Sequence, residues 1–305
     1  MTATVKIEHV SKRYGKIEAV RDVSLALAPG QTVALVGHNG AGKTTLLKLM
    51  LGHVRPTSGT IRVLGDDPVA GEFEARRKIG FLPENVSFNP ALTGREILTF
   101  YTLLKGAPVA TALELLERVG LGPASARRVG TYSKGMRQRL GLAQALIGEP
   151  KLLLLDEPTT GLDPALRLSF YEILQTLRDR GATVVLSSHA LAELGERADR
   201  VVIMGTGTLL GQGSVEELRR MARLPAKIRL TVSGETETIR NWLDRGETWR
   251  QVNGHVVEID AAPERKIELL RRATDVGAPI EDVDVTPPTL DDIYAHFLRM
   301  QGPGR

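Results

Sequence analysis

The chain has 305 residues, 42% hydrophobic and 25% charged, with 40 basic against 36 acidic side chains and a formal net charge of +4. That length can bury a sizeable core and suggests two domains, and the lack of cysteine excludes disulfides, thiolate metal sites and a cysteine nucleophile. The charge is too evenly balanced for a dedicated nucleic-acid footprint, so no nucleic-acid partner is expected. No apolar run is long enough to cross a membrane, and no basic-plus-apolar leader opens the chain. Residues 5–10 and 20–27 then alternate as half-buried strands, with Tyr14-Gly15 at the turn between them.

Thr32–Val36 reads as a short buried strand and Leu46–Leu51 as a helix stopped at Gly52. Between them lies Gly37-His38-Asn39-Gly40-Ala41-Gly42-Lys43-Thr44-Thr45, which fits G-x-x-x-x-G-K-[ST]. Strand, glycine-rich turn and helix together suit a polyphosphate held by backbone N–H groups and the positive end of a helix dipole. Lys43 can reach the outer phosphates, and the Thr44 hydroxyl can bind Mg²⁺, a hard cation that prefers oxygen.

Residues 61–64 form another strand, so an antiparallel region brackets the first parallel strand. Residues 79–82 form a strand that leads into Pro83-Glu84-Asn85. Thr93 and Glu96 predict a capping box for a helix to Leu104, and a second helix runs from Thr111 to Val119; the pair reads as an inserted helical subdomain. Ser133 can cap a helix that runs to Gly148, with Gly135 keeping the backbone approachable; this is either an anion-binding helix start or simply a well-capped helix.

The unbroken run Leu152–Leu155 suits a parallel strand buried on both faces and delivers Asp156 and Glu157 to its C-terminal end, where open α/β sheets bind ligands. There Asp156 is placed to hold Mg²⁺ through water, and Glu157 to polarise an attacking water. Residues 182–186 form another buried strand, ahead of Ser187-Ser188-His189, and the imidazole of His189 could reach a γ-phosphate.

Past residue 224 the order becomes β-α-β-β-α-β, that of a ferredoxin-like fold. Asn253-Gly254 marks a hairpin within it. The last helix, from Leu290 to Met300, carries Leu290, Ile293, Tyr294 and Phe297 on one face. That stripe must pack on something, and assembly of a dimer is the expected use. Arg219, Arg220, Arg223, Lys227 and Arg229 form a local basic cluster, read as a solvated linker rather than a lipid-facing patch.

As a set, in this order and spacing, the motifs over residues 4 to about 220 resemble the nucleotide-binding domain of the ABC ATPases. The resemblance implies an α/β fold: a P-loop domain over residues 1–222 with a parallel core sheet, an antiparallel β region and a helical subdomain. A small α+β ferredoxin-like domain is expected over 226–305. Gly37–Thr44 match the Walker A motif, and Leu152–Asp156 match Walker B with Glu157 in the catalytic-glutamate position. Residues 133–138 resemble the signature motif, residues 161–163 with Asp163 the D-loop, and His189 the switch histidine. Tyr14 stands where an aromatic stacks on adenine. Glu84 takes a place usually held by glutamine that touches Mg²⁺ or the attacking water.

The resemblance further implies ATP and Mg²⁺ as cofactors and a head-to-tail dimer with two composite sites, each pairing one copy's P-loop with the other's Ser133 and Gly135. It also implies a membrane permease dimer and a peripheral location on the cytoplasmic face of the inner membrane. His38, residues 82–86, residues 132–140 and the C-terminal domain make the chain similar, within that family, to ATPase subunits of transporters that mature the copper centres of nitrous-oxide reductase. That closer likeness implies a periplasmic component reached through the permease.

Overall fold

The computed structural model describes residues 3–70, 73–188, 191, 194, 197–234, 239, 242–243 and 248–301. It divides into two compact units that meet at Ser214 and Val215, so the helix Val215–Ala222 groups with the second unit.

The first unit contains two sheets. Strands β1 (Val5–Tyr14), β2 (Ile17–Leu27) and β4 (Ser58–Val63) form an antiparallel sheet in the order β2-β1-β4. The larger sheet adds β3 (Thr32–Val36), β5 (Ile79–Leu82), β6 (Leu152–Asp156), β7 (Thr183–Ser188), β8 (Arg200–Gly205) and β9 (Thr208–Gly213), in the order β5-β6-β7-β3-β8-β9. All its pairings are parallel except the β8–β9 edge hairpin.

Every residue of β3, β6 and β7 is buried, as continuous apolar runs require of strands covered on both faces. Leu35, Leu46, Leu47, Met50, Leu152 and Leu154 share one core with the inward residues of β1 and β2. Parallel strands send their C-terminal ends to one edge of the sheet, and the candidate site lies there.

The helices start where the side-chain chemistry says they should. In α3 (Gly94–Leu104) Thr93 and Glu96 complete both halves of the capping box. In α5 (Lys134–Leu146) the Ser133 hydroxyl accepts from the Met136 N–H. In α6 (Pro164–Asp179) the Asp163 carboxylate accepts from the Leu166 N–H. A short helix Ala110–Arg118, α4, packs with α3 and α5.

In the second unit, β10 (Ala226–Val232), β11 (Trp249–Gln251), β12 (Val256–Ala261) and β13 (Ile280–Thr286) form an antiparallel sheet in the order β11-β12-β10-β13. Ile228, Leu230, Val257 and Ile259 build its core with Leu269 of the helix Lys266–Ala273. The terminal helix Leu290–Met300 corrects one expectation. Its stripe does not wait for a second copy: Leu290, Ile293 and Phe297 are buried, and the helix packs on Val215–Ala222 of the same unit. The basic cluster is not a uniform solvated linker either. Arg219 donates to the Pro288 carbonyl, while Arg229 and Arg250 both grip Glu258, which is 4% exposed.

Candidate functional site

The turn between β3 and α1 (Lys43–Met50) puts the glycine–lysine–threonine sequence at the C-terminal edge of the core sheet. Gly42 is the N-cap of α1 at φ 100°, in the left-handed region, and has no side chain with which to satisfy the first N–H groups of the helix. A Cβ at Gly42 would also sit 2.5 Å from the Ala19 carbonyl oxygen. The glycine is therefore demanded by the handedness of the turn and by its close approach to β2, as well as by any approaching phosphate.

Lys43 is buried beneath this loop. Its ammonium donates to the Gly37 carbonyl and, at 3.5 Å, to that of His38, and it lies 3.8 Å from Glu157 Oε1. Those carbonyls hold the cation under the loop, where an oxyanion could take their place. The Thr44 hydroxyl donates to Asp156 Oδ2 at 2.8 Å. On the other side of the carboxylate, the Ser187 hydroxyl donates to Asp156 Oδ1 at 2.6 Å and accepts from the Glu157 N–H at 2.9 Å. Glu157 has φ 48°, a strained setting for a non-glycine residue, and is buried beside Asp156. The Thr44 hydroxyl and the Asp156 carboxylate form a pair of hard oxygen donors at one point, which fits a Mg²⁺ ion.

These groups open into a cleft of about 800 Å³. Its wall includes His38, Asn39, Gly40, Gly42, Lys43, Thr44 and Thr45, with Glu84, Asp156 and Glu157 opposite. Gly37 and Ala41 support the loop from behind; Ala41 is fully buried. Tyr14 is 44% exposed, with the Lys12 ammonium 5.0 Å from its ring centre, and it does not line the cleft. Ile17, Glu18, Ala19 and Arg21 of β2 line it instead, together with Thr160 and Thr206. Ser133, Gly135 and Asp163 also stand outside this wall. His189 lies outside the described residues.

Sequence reasoning missed Ser187 and Ile17. Ser187 could not be assigned because its role depends on β6 and β7 being neighbours in register, with Asp156 opposite Ser187. Ile17 carried no signal in the sequence either, because only the structure shows that this large apolar side chain at the start of β2 remains 71% exposed.

Comparison with known proteins matches this geometry. Residues 20–160 match the family model described as ABC transporter. An uncharacterized ABC transporter ATP-binding protein of Bacillus subtilis is 40% identical over 244 residues, 79% of each chain. The daunorubicin resistance ATP-binding protein of Streptomyces coeruleorubidus is 34% identical over 312 residues, 96% of this chain and 95% of its own. The linearmycin resistance ATP-binding protein of Bacillus subtilis is 33% identical over 303 residues, 96% and 97%.

Among solved structures, the ATP-binding subunit of an ABC transporter superposes with a TM-score of 0.67 at 30% identity, covering 72% of this chain and 92% of that one. An ATP-binding cassette seen as a dimer in a post-hydrolysis state with ADP and phosphate gives 0.64 at 27% identity, covering 69% and 98%. The glycine-rich loop, the buried carboxylates beside it and these relatives converge: the chain belongs to the ATP-binding subunits of ABC transporters, ATPases that hydrolyse ATP to drive transport.

Proposed function

We propose that two copies of this chain clamp ATP and Mg²⁺ between one copy's P-loop and the other's Ser133–Gly135, and energise a membrane permease as an exporter. The observation that carries the reading is the chain of contacts Thr44–Asp156–Ser187–Glu157 under the P-loop. It sets two carboxylates in distinct surroundings. Asp156 is fully engaged by two hydroxyls and suits a metal; Mg²⁺ bound there supplies positive charge to the outer phosphate oxygens. Glu157 has its backbone pinned and its carboxylate beside Lys43, suiting it to orient and deprotonate water. His189 is the proposed γ-phosphate sensor and Tyr14 the proposed adenine contact.

Ser133, Gly135 and Asp163 lie off the cleft of their own chain, which supports a site completed by a second copy. The dimeric cassette among the solved structures supports the same reading. No helix among the described residues is long and apolar enough to cross a membrane, so the proposed place is peripheral, on the cytoplasmic face of a permease. The strand order β11-β12-β10-β13 supports a ferredoxin-like reading of the second unit.

Export is favoured because the relatives that match over nearly their whole length include two named for resistance to antibiotics. The maturation of nitrous-oxide reductase copper centres rests on the resemblance in residues 38, 82–86 and 132–140, and the relatives compared above carry no such name. Glu157→Gln tests the site: ATP binding should persist while hydrolysis falls by roughly 10²- to 10⁴-fold, with an ATP-bound dimer accumulating on sedimentation. Undiminished turnover would remove Glu157 from the reaction. Loss of the gene should raise sensitivity to an amphipathic antibiotic and leave the copper content of nitrous-oxide reductase unchanged; the reverse pattern would restore the maturation reading.

A further inference from the structure

A second cavity lies in the first unit, away from the P-loop. The end of α4, one face of α5, the turn after Glu157 and α6 line a half-open cavity of about 190 Å³. Leu142, Leu162, Leu166, Phe170 and Ile173 give it an apolar wall. Cavities of about 150 Å³ with such linings bind benzene.

Arg139 gives the wall a charge. Its Nη1 donates to the carbonyls of Val119 and Gly120, at 3.2 and 2.8 Å. Its Nε is buried and finds no hydrogen-bond partner among the described residues. That donor has no appreciable surface open to the cavity, so an acid group meets Arg139 only once the side chain turns toward the opening. Arg118 also lines the cavity, and burial holds its guanidinium below its ordinary range, with Arg180 adding repulsion. Glu117 is the one carboxylate of the wall, so two cations face one anion. A ring-sized apolar body with a single anionic acceptor matches volume, lining and charge together.

We propose that this cavity is a ligand site separate from the nucleotide cleft, taking a small aromatic carboxylate whose acid group pairs with Arg139 while its ring packs on Leu166 and Phe170. The site is wired to the catalytic edge of the sheet. Gln138 lines the cavity and donates to the Pro158 carbonyl at 3.3 Å, directly after Glu157. Leu162 lines it immediately before Asp163, the cap of α6. Occupancy therefore bears on the turn that carries Glu157.

Phenylacetate tests the assignment, with phenylacetamide as its neutral match, titrated into the full-length protein by calorimetry. Ten heavy atoms at ordinary ligand efficiency place the dissociation constant on the order of 1 mM. Arg139→Met should weaken phenylacetate by roughly tenfold, the worth of one charge-assisted contact, and leave phenylacetamide unchanged. Arg139 also holds the end of α4, so Ser169→Phe is the second variant: it fills the mouth from an exposed position on α6 and should abolish binding of both compounds. No saturable binding by the parent protein, or equal binding by the parent and Ser169→Phe, would overturn the site. Equal affinity for acid and amide would overturn the role of Arg139. Because the titration contains no nucleotide, its failure leaves the ATPase reading untouched.

Discussion

Asp156 and Ser187 stand opposite each other in register on β6 and β7, with Oδ1 and Oγ 2.6 Å apart. The same hydroxyl accepts from the Glu157 N–H, so one small side chain orients both carboxylates of the site. Removing it strands a buried N–H and one oxygen of Asp156.

Ser187→Ala should therefore cost about 1–3 kcal/mol of stability, the penalty for buried polar groups left without partners. Its effect on chemistry should fall mainly on kcat, because Lys43 and the P-loop amides are untouched. Steady-state ATPase kinetics would show this as a drop in kcat with KM nearly constant. An unchanged kcat would mean that Glu157 is held by the turn alone.

Lys43 presents a different balance. It is buried, and its charge is met by two carbonyls and by Glu157. Lys43→Ala should lower nucleotide affinity on the order of 10²-fold, since charge-assisted contacts to two phosphates are lost. Equilibrium binding of a fluorescent ATP analogue measures this directly, and equal affinity in the variant would separate the loop from nucleotide binding.

How far the sequence could be read depended on whether a feature was local. The Thr93–Glu96 capping box, the glycine turn before Lys43 and the apolar run Leu152–Leu155 of β6 each carry their cause within a few residues, and each is in the structure as expected. Ser187 beside Asp156 needed the order of strands in the sheet, which periodicity does not encode. Arg229 reads as part of a solvated linker, yet it closes over Glu258 together with Arg250, from the two strands flanking it, and the pair hold its carboxyl below the usual range. The stripe on the terminal helix was legible as apolar, but its partner on Val215–Ala222 lies about seventy residues upstream and was not.

Lys105 is another long-range contact, and it makes stability depend on pH. Its ammonium, at the end of α3, donates to the Ile79 carbonyl at 3.1 Å and to the Ile147 carbonyl at 3.0 Å. Burial pushes its pKa down from 10.5 to about 8. Above about pH 8 the folded protein has released this proton while the unfolded chain keeps it up to about 10.5, so the unfolded state binds more protons and stability rises with pH across that window. Below pH 8 the burial penalty is felt in full. In Lys105→Met the group is gone. The stability of the parent minus that of Lys105→Met should grow by about 2 kcal/mol between pH 7 and pH 9.5, measured by urea unfolding. A difference that stays flat would mean that Lys105 remains protonated in the folded protein.

The terminal helix yields the last prediction. Ile293 is completely buried, between Leu290 and Phe297 on the face that packs against Val215–Ala222. Truncating it leaves a cavity in the second unit and removes apolar contacts that solvent cannot replace. Ile293→Ala should cost about 2–5 kcal/mol in that unit. Both tryptophans of the chain, Trp242 and Trp249, pack on the core of the same unit, so fluorescence follows its unfolding selectively. The denaturation midpoint by tryptophan emission should fall, while ATP binding, whose proposed residues all lie in the first unit, stays at the parent level. If the helix instead serves only to join two copies, the substitution will leave the fluorescence midpoint in place and weaken the dimer on sedimentation.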